Sequence, residues 1–135
     1  MDLYKKIENS LEKQKFSALL GIQLEKVEPG FVSLSCKKRD DLTQQVGFIH
    51  AGVTTTVADS ACGYAALTTM DEGDEVLSVE FKVNMLRPAV GEEIRADARV
   101  IKAGKTLTIT EATVYDTQTN KEIAKMQATM IRVTP

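Results

Sequence analysis

Hydrophobic and polar positions alternate most cleanly in the second half of the chain. Leu77, Val79, Phe81, Val83 and Met85 alternate with Ser78, Glu80, Lys82 and Asn84, which predicts a strand with one apolar face. Ile94, Ala96, Ala98 and Val100 alternate with Arg95, Asp97 and Arg99 in a second strand, and the turn at Ala103, Gly104 and Lys105 reads as a hairpin. Residues 107–116 form a third strand. Its apolar phase slips near Glu111, from Leu107 and Ile109 to Ala112 and Val114, which predicts a bulge there. Residues 123–133 form the last, with Ala124, Met126, Ala128 and Met130 on one face.

The first half mixes periods. Leu3, Ile7 and Leu11 stand four apart over residues 2–15, the spacing of one helical stripe. Phe16, Leu19 and Leu20 follow as a second apolar cluster that Gly21 stops, and together these predict a brace or lid over the core. Two short strands, 22–27 and 31–37, flank a Glu28-Pro29-Gly30 turn, with Cys36 on the apolar face as a small core residue. Residues 37–41 read as a solvated charged loop.

Between these halves lies the stretch 44–70, QQVGFIHAGVTTTVADSACGYAALTTM. Val53, Val57, Ala58, Ala61, Ala65 and Ala66 can pack, and the small residues keep a helix thin. Roughly 18 helical residues span about 27 Å, the length of a strand of about eight residues. A curved antiparallel sheet wrapped around one central helix follows, an α+β fold. No helical crossovers are available after Met70 for a parallel sheet. Without repeats or a linker, residues 1–135 read as a single domain.

Composition narrows the classes. Hydrophobic residues make up 43% and charged residues 27%, outside the disordered range. A net charge of -2 gives no basic surface for nucleic acid or an anionic membrane. The longest stretch without Asp, Glu, Lys or Arg, 42–58, is too short and polar to span a bilayer. Residues 1–16 contain no apolar signal core, and Cys36 and Cys62 form neither a redox pair nor a disulfide framework, so the expectation is a cytoplasmic protein. One histidine and two scattered cysteines argue against structural zinc.

Chemistry concentrates in the central stretch. Asp59 sits inside the expected helix with no basic residue within four positions. A buried carboxylate without a partner is costly. Asp59 is therefore either a structural acceptor for groups on another segment or a catalytic base or nucleophile. His50 precedes Ala51-Gly52, where the helix should begin, and the first N–H groups of a helix suit a polarised carbonyl or an oxyanion. By itself His50 is either a structural hydrogen-bonding residue or a functional one. Cys62 reads as core.

These residues, Gln44, His50-Ala51-Gly52 and Asp59, resemble in spacing the hotdog-fold acyl-CoA thioesterases of the PaaI-like family: Asn or Gln, five residues, His-Gly-Gly, and a carboxylate nine residues past the histidine. Downstream, FKVNMLRPA over residues 81–89 and Ala103-Gly104-Lys105-Thr106 are similar to further family elements. Alanine replaces the first glycine here and still supplies its N–H. The resemblance implies hydrolysis of an aryl- or medium-chain acyl-CoA thioester. The Ala51 N–H would polarise the carbonyl, Asp59 would attack it or activate water, Gln44 would orient the nucleophile, and His50 would hold the turn. It further implies substrate contacts from Gly52, Ser60, Gly63, Asn84, Met85, Leu86, Arg87, Lys102, Gly104, Lys105 and Thr106, with Arg87, Lys102 and Lys105 toward phosphates. Val46, Phe48, Tyr64 and the N-terminal helix join the expected pocket walls. Coenzyme A would be part of the substrate, with no separate cofactor. The implied assembly is a homodimer sharing its sites across the interface, paired into a homotetramer. A non-catalytic acyl-CoA-binding module of the same fold is the alternative. A carrier-dependent dehydratase fits less well, because the Pro-Gly run near the helix is missing.

Overall fold

The computed structural model describes residues 2–135. Helices α1 (Leu3–Glu12) and α2 (Lys15–Leu20) precede strands β1 (Gln23–Glu28) and β2 (Phe31–Lys37). A short 3-10 turn, Asp40–Leu42, leads to the long helix α3 (Ala51–Leu67). Strands β3 (Glu75–Met85), β4 (Glu93–Ala103), β5 (Leu107–Asp116) and β6 (Glu122–Val133) complete the chain. All six strands form one antiparallel sheet in the order β1-β2-β4-β5-β6-β3. Helix α3 packs on the concave face against β2, β3, β4, β5 and β6. This is the antiparallel sheet around a central helix that the pattern predicts, and the hotdog fold that the resemblance implies.

Small residues let the sheet close on the helix. Ala58, Ala61, Ala65 and Ala66 are fully buried, and so is Val57. Facing them are Val32, Leu34 and Cys36 from β2, Ile94, Ala96 and Ala98 from β4, and Ala124, Met126, Ala128 and Met130 from β6. Every one of these follows the expected alternation. Cys36 and Cys62 are both core, and burial pushes the Cys62 thiol up to about 12.

The helix expected over 2–15 is α1, which ends at Glu12, and the second apolar cluster that Gly21 stops is a separate short helix, α2. Asp2 caps α1, its Oδ1 accepting from Lys5 N at 2.9 Å. Ile7 and Leu11 are buried, and Ser10 Oγ and Tyr64 OH are hydrogen-bonded at 3.2 Å, tying α1 to α3. The six-residue α2 lays only Ser17 and Leu20 on the core before Gly21 ends it in the left-handed region (φ 76°). Phe16 and Leu19, expected to pack with Leu20, stand 57% and 65% exposed.

Two strands differ from their expected phase. β5 carries no bulge at Glu111. Its inward face is Thr108, Thr110, Ala112, Val114 and Asp116, all buried, so Leu107 and Ile109 lie on the opposite face. The register shifts instead fall at Val100/Lys102 and Val114/Tyr115. β3 holds the unexpected bulge, between Ser78 and Glu80. Past it, Phe81, Val83 and Met85 pair with the buried Ala128, Met126 and Ala124. Before it, Ser78 pairs with the buried Met130 and Leu77 with Ile131. Ser78 therefore faces α3, and Leu77 faces away, the reverse of simple alternation.

A buried carboxylate organises the end of the sheet where β5 stops. Asp116 is 1% exposed and accepts from Gly91 N (2.8 Å), Gln118 N (2.9 Å) and Thr119 N (3.3 Å). A Cβ added at Gly91 would collide with this carboxylate. Gly91 is thus required for a close approach, beyond the strand ending that the sequence suggests. Among the described residues, no helix is long and apolar enough to cross a membrane.

Candidate active site

The start of α3 leaves one backbone donor free. His50 is the N-cap, in extended conformation, and its Nδ1 accepts from Gly52 N at 2.8 Å. That bond leaves Nε2 as the protonated nitrogen. The His50 carbonyl accepts from Val53 N (2.9 Å) and Thr54 N (3.3 Å). Of the first four helical N–H groups, only that of Ala51 has no acceptor among the described residues, and Ala51 is exposed. The position at which a methyl replaces the family's glycine is the one that presents a free donor. Gly52, expected to contact substrate, also seats the imidazole, since a Cβ there would lie 3.0 Å from His50 Nδ1. His50 caps the helix through the bond from Gly52 N.

Gln44 is fixed by its own loop. Its Oε1 accepts from Val46 N (2.7 Å) and Phe48 N (3.1 Å), which turns the carbonyl end inward and leaves the amide NH2 as its available donor. Gln44 and Ala51 line the same cavity of about 330 Å³, together with Phe48, Met85, Leu86 and Arg87. Arg87 Nη1 donates to the Glu122 carbonyl at 2.8 Å, which holds the guanidinium at this mouth.

Asp59 lies elsewhere. It is half-buried, and Ser78 Oγ donates to its Oδ1 at 2.7 Å. The partner on another segment is thus a serine hydroxyl, placed by the β3 bulge. Asp59 lines a second cavity of about 260 Å³ with Ser60, Gly63, Tyr64, Phe16 and Ser78. Eight residues of helix separate it from Ala51, about 12 Å along the axis. Within one chain, Gln44 and Ala51 therefore do not share a cavity with Asp59.

The phosphate-binding candidates are also divided. Met85, Leu86 and Arg87 lie at the end of β3, where β6 begins. Lys102, Gly104, Lys105 and Thr106 lie at the β4–β5 hairpin, at the opposite end, where Leu107 pairs with Ile131 and Ile131 with Leu77. Gly104 N donates to Leu107 O and the Thr106 carbonyl accepts from Arg132 N, so these two serve the turn. Asn84 pairs with the exposed Lys125, outside the Ala51 cavity, and Val46 is exposed at its loop tip. Ser78 was not among the expected residues, because simple alternation turns it away from Asp59. A bulge leaves little trace in a hydrophobic pattern.

The chain matches the thioesterase superfamily over residues 46–123, more than half its length. It belongs to that family. Its chemistry is thioester hydrolysis. Human acyl-coenzyme A thioesterase 13 is 34% identical over 114 residues, covering 83% of this chain and 81% of that protein. A thioesterase family protein from Silicibacter pomeroyi superposes with a TM-score of 0.94 at 44% identity, covering 99% of this chain and 100% of that one. The E. coli PaaI protein of the phenylacetic acid degradation operon shares the fold, with a TM-score of 0.89 at 20% identity over 97% and 93% of the two chains.

Proposed function

We propose that this thioesterase hydrolyses aryl- or medium-chain acyl-CoA in sites completed between two subunits. The observation that carries the reading is the division just described: the free Ala51 donor and the Gln44 amide at one end of β3, the Asp59–Ser78 pair at the other.

β3 is suited to join the halves. It is an edge strand of eleven residues, with Leu77 (58%), Phe81 (44%) and Met85 (43%) exposed. A long apolar edge of this kind is normally paired or covered. Antiparallel pairing of β3 with its copy across a two-fold axis sets the start of one strand beside the end of the other. Asp59 and Ser78 of one subunit then approach the Gln44, Ala51 and Arg87 cavity of its partner. A two-fold at Phe81 also sets Glu80 opposite the partner's Lys82, a favourable cross-strand charge pair. The row of exposed Leu77 and Leu107 with half-buried Ile131 between them on the outer sheet face offers a surface on which two such dimers would form a tetramer.

In this arrangement the Ala51 N–H donates to the thioester carbonyl oxygen, at a helix start where negative charge is favoured. The Gln44 amide orients the group that attacks. The Asp59 carboxylate, held by Ser78, either attacks the carbonyl carbon or takes the proton from the water that does. Both routes release CoA as a thiolate, a good leaving group. In the first, the anhydride formed between Asp59 and the acyl group is then cleaved by water, which frees the product acid and restores the carboxylate; in the second, the water itself becomes the acid's second oxygen. Arg87 and the hairpin lysines Lys102 and Lys105, drawn together only in the dimer, provide positive charge for the nucleotide phosphates. Coenzyme A enters as part of the substrate, and no further cofactor is invoked.

The test is CoA release across a panel of acyl- and aroyl-CoA thioesters, with wild type and Asp59→Asn. The expected result is turnover that falls by about 10²–10⁴-fold in the variant while binding of a non-hydrolysable CoA thioether persists. Tight thioether binding with no hydrolysis by wild type would overturn it.

A further inference from the structure

Phe16 is a large aromatic residue on a six-residue helix, 57% exposed where its neighbours predict burial. Two cavities explain its position. The Asp59 cavity, about 260 Å³, is walled on one side by Phe16 and Thr56. A third cavity, about 290 Å³, lies beside the start of α3 and is lined by Phe16, Thr56, Leu20, Leu42, His50 and Val53, among others. Phe16 and Thr56 are the two residues common to both. The Thr56 hydroxyl donates to the Gly52 carbonyl at 2.9 Å, so this residue is fixed in the helix surface. Phe16 is the part of the partition carried by another element.

That element is a single short helix, with Ser17 Oγ donating to Gln14 Oε1 at 2.6 Å and Cys36 Sγ to the Leu20 carbonyl at 3.3 Å. Gln14 caps α2 without a side-chain bond to its backbone, and only Ser17 and Leu20 are buried. Its C-terminal end is pinned by Arg39 Nη2, which donates to the Leu19 carbonyl at 2.9 Å. Ligand pockets usually run to about 300–1,000 Å³. The Asp59 cavity alone falls just under this range, and the two joined fall well inside it. We infer that Phe16 is a specificity-determining residue: its ring closes the acyl pocket beside Asp59 against a second, mainly apolar compartment and so limits the acyl group to a compact one. Removing the ring joins the compartments and admits a longer chain toward Val53 and Leu42.

The inference rests on the acyl-CoA reading above, so its test has two arms. In the first, kcat/KM is measured for saturated acyl-CoA thioesters from six to sixteen carbons with wild type, Phe16→Ala and Leu19→Ala. Leu19 stands on the same helix, is similarly exposed and lines neither cavity. In the second, binding of non-hydrolysable thioethers of the same lengths is measured. Phe16→Ala is expected to raise the ratio of long-chain to short-chain kcat/KM at least about tenfold, the scale of one methylene's worth of discrimination. Thioether binding should shift in parallel, and Leu19→Ala should leave both ratios unchanged. An unaltered chain-length profile in Phe16→Ala, or the same shift in Leu19→Ala, would overturn the assignment. If wild type hydrolyses none of the thioesters, the functional reading fails on its own, and the thioether arm still decides the role of Phe16.

Discussion

Ser78→Ala isolates the contact that joins β3 to the reacting carboxylate. The substitution removes one hydroxyl, which donates to Asp59 Oδ1 at 2.7 Å, and leaves the strand pairing intact. A hydrogen bond to a charged acceptor is worth about 1.5–3 kcal/mol. Asp59 is half-buried, so water substitutes in part and the lower end applies. About 1.5 kcal/mol corresponds to roughly a tenfold loss of rate. The bond orients the group that acts on the carbonyl, so the loss should appear in kcat, with KM within about twofold. Steady-state release of CoA, read with a thiol reagent at saturating and at limiting substrate, separates the two constants. The same substitution in an Asp59→Asn background should cost little more, because the carboxylate it serves is already gone. An unchanged kcat in Ser78→Ala, or an undiminished tenfold loss in the Asp59→Asn background, would refute the assignment.

Three other perturbations probe the frame of the site. Gly91→Ala forces a methyl into the Asp116 carboxylate and disturbs its bond from Gly91 N, so thermal unfolding followed by circular dichroism should show a loss of about 3 kcal/mol. Gly52→Ala crowds His50 Nδ1 at 3.0 Å and loosens the turn that presents the Ala51 N–H; kcat should drop while the melting temperature moves by only a few degrees. The Cys62 thiol, pushed up to about 12 by burial, should remain unlabelled by an alkylating reagent at pH 8 in the folded protein and react on unfolding, as mass spectrometry will read.

The elements readable in the sequence are those whose inward positions are apolar. β4 and β6 lie inside the sheet with Ala, Ile and Met facing α3, so period two is plain. α3 is readable from its alanines. β5 hides its phase because Thr108 and Thr110 face inward, Thr110 Oγ1 donating to the Ala128 carbonyl at 3.4 Å, while Leu107 and Ile109 face out. A polarity pattern assigns such threonines to the wrong side. β3 hides its phase in a bulge, and with it Ser78. Motif spacing picks out Gln44, Ala51 and Asp59, but it does not say that they occupy separate cavities. That separation follows from the sheet order, which places β3 at an edge, and from the eight residue steps of rigid helix from donor to carboxylate.

The account turns on sites built by two subunits, and complementation between inactive chains tests this directly. Gln44→Ala and Asp59→Asn proteins are each purified, mixed in equal amounts, dissociated and allowed to reassemble, and CoA release is compared with wild type treated in the same way. With shared sites, half of the reassembled dimers carry one chain of each kind, and each of these has one intact site, so activity should recover to about a quarter of the wild-type value. A mixture no more active than the average of the two variants would contradict the shared site and place all the chemistry within a single chain.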